Sequence, residues 1–125
     1  METEKREFFR LNYKAAVQFK PVNTAGGESA HGNTLNISQN GILFQTEEMP
    51  PNLSSIVWMN LDLRTVKICQ EIEAKALILN NGILGKVVRV EEDADKDNAY
   101  DVGVCFLRKD QKDSPEVLQA INRLK

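Results

Sequence analysis

The sequence predicts an all-β fold with small α content: an antiparallel barrel of six or seven strands followed by one C-terminal helix. Three observations favour this fold. Segments in which apolar and polar residues alternate recur at short intervals, and Gly-, Asn- and Pro-containing turns separate them. An unambiguous helical apolar period appears near the C-terminus. This combination is typical of a small barrel with a helix packed against it.

The strands are predicted from alternation between turn residues. They are expected at 14–20, 30–35, 41–46, 55–63, 85–90 and 100–107. The Asn40-Gly41 pair indicates a hairpin, because both residues tolerate a positive φ. Asn80-Asn81-Gly82 predicts a second turn, and the acidic run 91–97 predicts a solvated hairpin loop.

One segment fits two structures. Ile68, Ile72 and Ala76 recur every four residues, as in a helix, whereas Ile72, Ala74, Ala76 and Ile78 alternate, as in a strand. Because the surrounding elements are strands, we expect a strand from about Ile72.

The C-terminal helix is predicted at 114–125. Ser114 is a suitable N-cap, Pro115 fits the first helical position, and Glu116 places an acid in the first turn. The apolar residues that follow at helical spacing are Val117, Leu118, Ile121 and Leu124.

Composition excludes several classes of protein. The chain has 125 residues with 16 basic and 18 acidic side chains, a net charge of −2, which fits one domain and argues against DNA or RNA binding. No segment approaches the roughly 20 apolar residues of a membrane span, so no membrane insertion is expected. The charged N-terminus lacks an apolar signal core and there are only two cysteines, so a cytoplasmic location is expected.

Two short motifs stand out. The first is Arg6-Glu7-Phe8-Phe9-Arg10, an RxxxR pattern preceded by Lys5; the second, about 25 residues later, is the NxSxxG pattern of residues 36–41. Each motif alone is weak evidence for a protein family, but their order and separation in the chain are much more specific. Together with the closing segments 85–90 and 100–107, they resemble the signature of the PilZ domain family, over nearly the whole chain.

The resemblance implies a six-stranded PilZ-like β-barrel that binds cyclic di-GMP at one rim. Residues 1–12 would form an N-terminal leader carrying RxxxR, and residues 13–125 the barrel domain with its helix. The implied ligand-binding residues are Lys5, Arg6, Arg10, Asn36, Ser38 and Gly41.

The chemistry of these residues suits that ligand. Guanine O6 and N7 are paired acceptors that match the planar fork of arginine better than the point charge of lysine. Many family members have aspartate where this chain has Asn36, and an amide offers one acceptor oxygen where a carboxylate offers two.

Simpler interpretations stay open. Arg6 and Arg10 could be surface charges that pair with neighbouring glutamates, and residues 36–41 could be only a capped turn. Arg89 fits a ligand contact or a solvent-facing position on a strand. Trp58 is expected to pack in the core rather than stack on a base.

Two functions follow from these residues. The first is a bacterial cyclic di-GMP receptor that orders its arginine leader on binding and signals to a downstream protein. The alternative is a PilZ-like protein-interaction adaptor that no longer binds the nucleotide. The sequence shows no nucleophile–base pair, phosphate-binding loop or metal motif, so we expect no enzyme activity, no cofactor and no metal.

Overall fold

A computed structural model describes residues 16–22, 29–60, 72, 74–95 and 97–124. In this part of the chain the strands are β1 (Ala16–Pro21), β2 (Ala30–Ile37), β3 (Gly41–Thr46), β4 (Ile56–Asn60), β5 (Ile78–Leu79), β6 (Gly82–Glu92) and β7 (Tyr100–Phe106). A 3₁₀ turn, Lys109–Gln111, precedes the C-terminal helix, Pro115–Leu124. The predicted all-β class with small α content is confirmed.

Six of these strands close into a barrel. Their order is β4-β1-β2-β3-β7-β6, and pairing of β4 with β6 joins the two ends. Every pairing is antiparallel. The two-residue strand β5 lies beside the beginning of β6. Closure satisfies the backbone hydrogen bonds that an open sheet would leave at its edges.

The barrel is filled by the alternate residues that each strand points inwards. Phe19 on β1 and Phe44 on β3 lie at its centre, with their ring centroids 4.8 Å apart. The remaining members of this cluster are Val17, Ile37, Ile42, Val57, Met59, Ile72, Ala76, Ile83, Val87, Val102, Val104 and Phe106. The opposite residues of the same strands therefore form the outer surface.

A strand from about Ile72 was the wrong choice for the ambiguous segment. Ile72, Ala74 and Lys75 are helical, and the Ala76 N–H donates to the Ile72 carbonyl at 2.8 Å. Ile72 and Ala76 are buried in the barrel core, whereas Ala74 and Lys75 are exposed. The four-residue apolar spacing thus gave the correct structure here. A strand would place Ala74 on the same face as Ile72 and Ala76, whereas a helical turn places Ala74 on the opposite, exposed side.

The turn predicted before β6 is confirmed. Asn80 and Asn81 have φ values of 54° and 63°, as a tight hairpin between β5 and β6 requires. The acidic loop is shorter than predicted, because Glu91 and Glu92 continue β6 and pair with Asp101 and Tyr100.

The C-terminal helix begins as predicted, with the Val117 N–H donating to Ser114 Oγ at 3.3 Å. Its buried side chains are Val117 and Ala120, whereas Leu118, predicted on the apolar face, is exposed. They pack on a second apolar cluster formed by Val22, Ile56, Leu77, Leu84 and Leu107.

Trp58 lies at the edge of this second cluster, where its indole N–H donates to the Leu79 carbonyl at 2.8 Å. It is therefore a packing residue, as expected. Neither this helix nor any other in the described residues is long and apolar enough to cross a membrane.

Candidate functional site

The first motif cannot be placed. Lys5, Arg6 and Arg10, like the whole predicted leader of residues 1–12, lie outside the described residues. Their roles, and the boundary between leader and barrel domain, stay predictions.

The second motif forms the end of β2, a short turn and the start of β3. The Ser38 N–H donates to the Gly41 carbonyl at 2.9 Å, and Ser38 Oγ accepts from the Asn40 N–H at 3.2 Å. The Phe106 N–H donates to the Asn40 carbonyl at 2.9 Å, which ties the turn to the end of β7. The hydroxyl of Ser38 thus stabilises the turn from within.

The position of the β2–β3 hairpin was predicted correctly, but the backbone conformation expected at its turn was wrong. Neither Asn40 nor Gly41 has a positive φ. Gly41 is required for a different reason: a Cβ atom at this position would collide with the Val104 carbonyl oxygen on β7. The glycine lets β3 lie close to β7 just where the turn meets the barrel wall.

Asn36, Ser38 and Gly41 open into one shallow groove of about 320 Å³ on the outer surface of the barrel. The groove crosses β2, β3, β7 and β6. Its other lining residues are Asn40, Ile42, Leu43, Val88, Arg89, Gly103, Val104 and Cys105. The structure therefore brings together the three predicted site residues that it describes.

Strand register explains the layout of the groove. Asn36 pairs with Leu43, Leu43 with Gly103, and Gly103 with Arg89. These four residues form a continuous row across four strands, here called the central row, about 15 Å long at the usual strand spacing. The row has an amide at one end, a guanidinium at the other, and a low apolar floor between them.

Each end of the central row lies next to an irregularity in its strand. Pairing of β2 shifts register between Thr34 and Asn36, and pairing of β6 shifts between Val87 and Arg89. Such a bulge puts two consecutive residues on the same face of the sheet. Val88 and Arg89 accordingly both face outwards into the groove.

Arg89 is the one charged residue among the described residues of the groove. Its Nη2 donates to Glu91 Oε1 at 2.7 Å, and both side chains are about half exposed. This hydrogen bond, reinforced by the opposite charges, raises the pKa of Arg89 and lowers the pKa of Glu91 from their usual values. In the described structure the guanidinium is thus already paired.

The groove offers several groups to a ligand. Among the described residues, no hydrogen bond is formed by the Asn36 side chain, which is only partly buried, and the Cys105 thiol is exposed and unpaired. An amide, a hydroxyl and a guanidinium around a flat apolar floor suit a planar heterocycle that carries polar edges and an anionic group.

The sequence indicated three of these residues and left Arg89 open. It gave no reason to choose Leu43, Val88, Gly103 or Cys105 as part of the site. Residues 86–90 read as a regular strand, and the bulge that turns Val88 and Arg89 to the same face depends on pairing with β7. A register shift of this kind has no signature in one strand alone.

A second cavity, of about 360 Å³, lies where β6 ends and β7 begins. Its lining includes Glu92 at the end of β6 and Asp93 and Asp97 from the β6–β7 loop. Carboxylates in this number disfavour an anionic ligand, and no metal-binding cluster of His, Cys, Asp or Glu is found in the described part of the chain. The groove is the better candidate site.

Comparison with known proteins identifies the fold. The chain resembles the structure of the Bacillus subtilis inhibitor of motility MotI/DgrA, with a TM-score of 0.58 and 14% identity. The match covers 95% of this chain and 51% of that one, so this chain spans about half the length of MotI/DgrA. No curated protein matches it.

A structure of the YcgR PilZ domain from Escherichia coli with c-di-GMP also matches. Its TM-score is 0.48 at 13% identity, over 96% of this chain and 88% of that one. Identities this low concern the fold alone. The family model for the PilZ domain, in contrast, matches residues 4–123, almost the entire sequence. The chain therefore belongs to the PilZ domain family.

Proposed function

We propose that this chain is a bacterial, cytoplasmic receptor for cyclic di-GMP without enzyme activity, which binds the nucleotide in the groove and signals to a downstream protein. The observation that carries the proposal is the meeting of Asn36, Ser38 and Gly41 in one groove on the barrel of a PilZ domain. The Asn36 amide forms no other hydrogen bond in the described residues, so it is available to a ligand.

The remaining contacts are assigned to the leader. Arg6 and Arg10 would grip guanine edges and phosphates, and Lys5 would add a further cation. Cyclic di-GMP carries two negative charges, whereas the described residues of the groove include one cation, Arg89, which is already paired with Glu91. Cations from outside the described residues are therefore needed for tight binding.

Calorimetric titration of the purified chain with cyclic di-GMP tests the proposal, with cyclic di-AMP as the matched ligand. Binding of the guanine compound alone is expected, because adenine replaces the O6 acceptor with an amino donor. Asn36→Ala should weaken binding. Gln39→Ala, in the same turn but outside the groove, should leave it unchanged. No heat with either nucleotide would favour the protein-interaction adaptor.

Ordering of the leader is tested by hydrogen exchange. Apart from Met1, residues 1–12 have only Phe8, Phe9 and Leu11 as large apolar groups, too few to hold the segment firmly without ligand. Their amides should exchange fast in the free chain and slowly when cyclic di-GMP is bound. Equal protection in the two states would contradict ordering by the ligand, even if the nucleotide binds.

A further inference from the structure

We propose that Arg89 is a further ligand-binding cation and that Glu91 holds it in reserve, so that the ligand and Glu91 compete for one guanidinium. This inference rests on the proposed function but concerns residues outside the two sequence motifs. It follows from the position of Arg89 in the strand register and from its ion pair with Glu91.

The position of Arg89 is set by the bulge in β6. The register shift between Val87 and Arg89 mirrors the shift in β2 next to Asn36, and both residues end the central row. Between them, Gly103 has no side chain, and a Cβ atom there would come within 3.2 Å of Arg89 Cβ. The glycine therefore leaves the floor open beside the arginine, where a ligand atom could approach it.

The partner of Arg89 lies on the side away from the rim. Glu91 pairs across strands with Asp101, and Asp101 with Gln45. The Gln45 amide in turn donates to Asp101 and Asp93. An acidic row thus borders the groove two residues beyond the central row, and Arg89 lies at the boundary between them.

Because Arg89 and Glu91 are both exposed, replacing Glu91 by a ligand as the partner of Arg89 costs little free energy. Surface ion pairs contribute little to stability, since water screens them and both side chains lose freedom. A phosphodiester or a guanine edge in the groove can replace Glu91 without leaving a buried charge unpaired. Glu91 then lowers the apparent affinity, because the ligand must displace it.

The test is a double-mutant cycle, with binding of cyclic di-GMP measured by calorimetry. Arg89→Ala should weaken binding about tenfold. Glu91→Gln should strengthen it by roughly three- to fivefold, the size of an exposed ion pair. In the Arg89→Ala background, Glu91→Gln should have no effect, because there is no guanidinium left to release.

Two matched controls separate contact from overall charge. Lys86→Ala removes a cation from the same strand, but its Nζ lies 3.8 Å from Glu116 on the helix and outside the groove. Glu92→Gln removes an acid next to Glu91 that lines the other cavity. Both should leave affinity within about twofold.

The outcomes distinguish the two proposals. No binding by the unmodified chain would overturn the proposed function and this inference with it. Binding that ignores both Arg89→Ala and Glu91→Gln would overturn this inference alone. An equal gain from Glu91→Gln and Glu92→Gln would also overturn it, because the gain would then come from net charge and not from release of Arg89.

Discussion

The two ends of the β6–β7 hairpin differ in charge, although the same two strands run through both. At the rim end, where β2 turns into β3, the groove is formed by the Ser38–Gly41 turn, Cys105 and the central row. Arg89 is the cation among its described residues. At the far end, Glu92 of β6 and Asp93 and Asp97 of the β6–β7 loop line a second cavity. A chain with a net charge of −2 can thus present a surface suited to an anion, because local placement outweighs the total.

The ends also differ in how their turns are built. The rim turn is held by hydrogen bonds of Ser38 and by close contact of Gly41 with β7. In the far loop, Asn98 adopts a positive φ of 61°, and the Asp95 N–H donates to Asp93 Oδ1 at 2.7 Å. The rim turn thus depends on a neutral hydroxyl and a close strand contact, whereas the far loop depends on a left-handed asparagine and a carboxylate.

The largest expected effect comes from the leader, whose arginines should bind at the rim end. Arg6→Ala or Arg10→Ala should weaken cyclic di-GMP binding by about 1–3 kcal/mol, roughly ten- to a hundredfold. Arg→Lys should restore little, because lysine lacks the planar fork. Calorimetry beside a circular dichroism check of folding measures this. Unchanged affinity in both alanine variants would remove the arginines from the site.

The next effect concerns the shape of the rim. Gly41→Ala should lower the free energy of unfolding by about 1–3 kcal/mol, because the new methyl group meets the fixed Val104 carbonyl. Gly103→Ala is the matched control, since its nearest neighbour is the side chain of Arg89, at 3.2 Å. Urea titration compares the two. If both variants are destabilised equally, the close contact between Gly41 and β7 is not the reason for the glycine.

Gly41 also illustrates what the sequence could and could not predict. Alternation and turn residues predicted the barrel, the helix cap at Ser114 and the location of the β2–β3 hairpin. The reason for Gly41 was not predictable, because Val104 is distant in sequence and approaches only when the barrel closes. The helical turn at Ile72 was misjudged for a similar reason: its burial depends on the barrel that surrounds it.

The residues of the candidate site were likewise predicted only in part. Asn36, Ser38 and Gly41 belong to a local motif, so the sequence identified them together. Arg89 and Gly103 enter the groove only through cross-strand pairing, which a single strand does not encode. Site residues that are close in sequence could thus be predicted from the sequence. Site residues brought together by cross-strand pairing could be identified only once the strand register was known.

A smaller effect is expected at the amide end of the central row. Asn36→Asp should strengthen cyclic di-GMP binding by up to about 1 kcal/mol if the side chain faces the guanine N1–H and N2–H donors, because a carboxylate accepts from both. Arg89 is about 15 Å away along the row, so it does not neutralise the new charge in the free chain. A clear loss of affinity, measured in the same buffer as Arg6→Ala, would show that Asn36 donates to O6, N7 or a phosphate instead.

The smallest effect is expected at the far end, and it tests whether the two ends act independently. Asp97 lies in the loop before Tyr100, which precedes the groove residue Cys105 by five positions, about 17 Å along β7. At physiological ionic strength, exposed charges beyond roughly 8 Å are largely screened. Asp97→Asn should therefore change cyclic di-GMP affinity by less than about twofold.

The measurement for Asp97→Asn is a pair of titrations, one at physiological and one at low salt. A small gain that appears only at low salt fits a distant charge acting through solvent. A gain at physiological salt as large as that of Glu91→Gln would mean that the acidic end as a whole repels the ligand. The two ends would then not act independently. The charge of the far end would set the affinity of the groove, and the single contact between Glu91 and Arg89 would not.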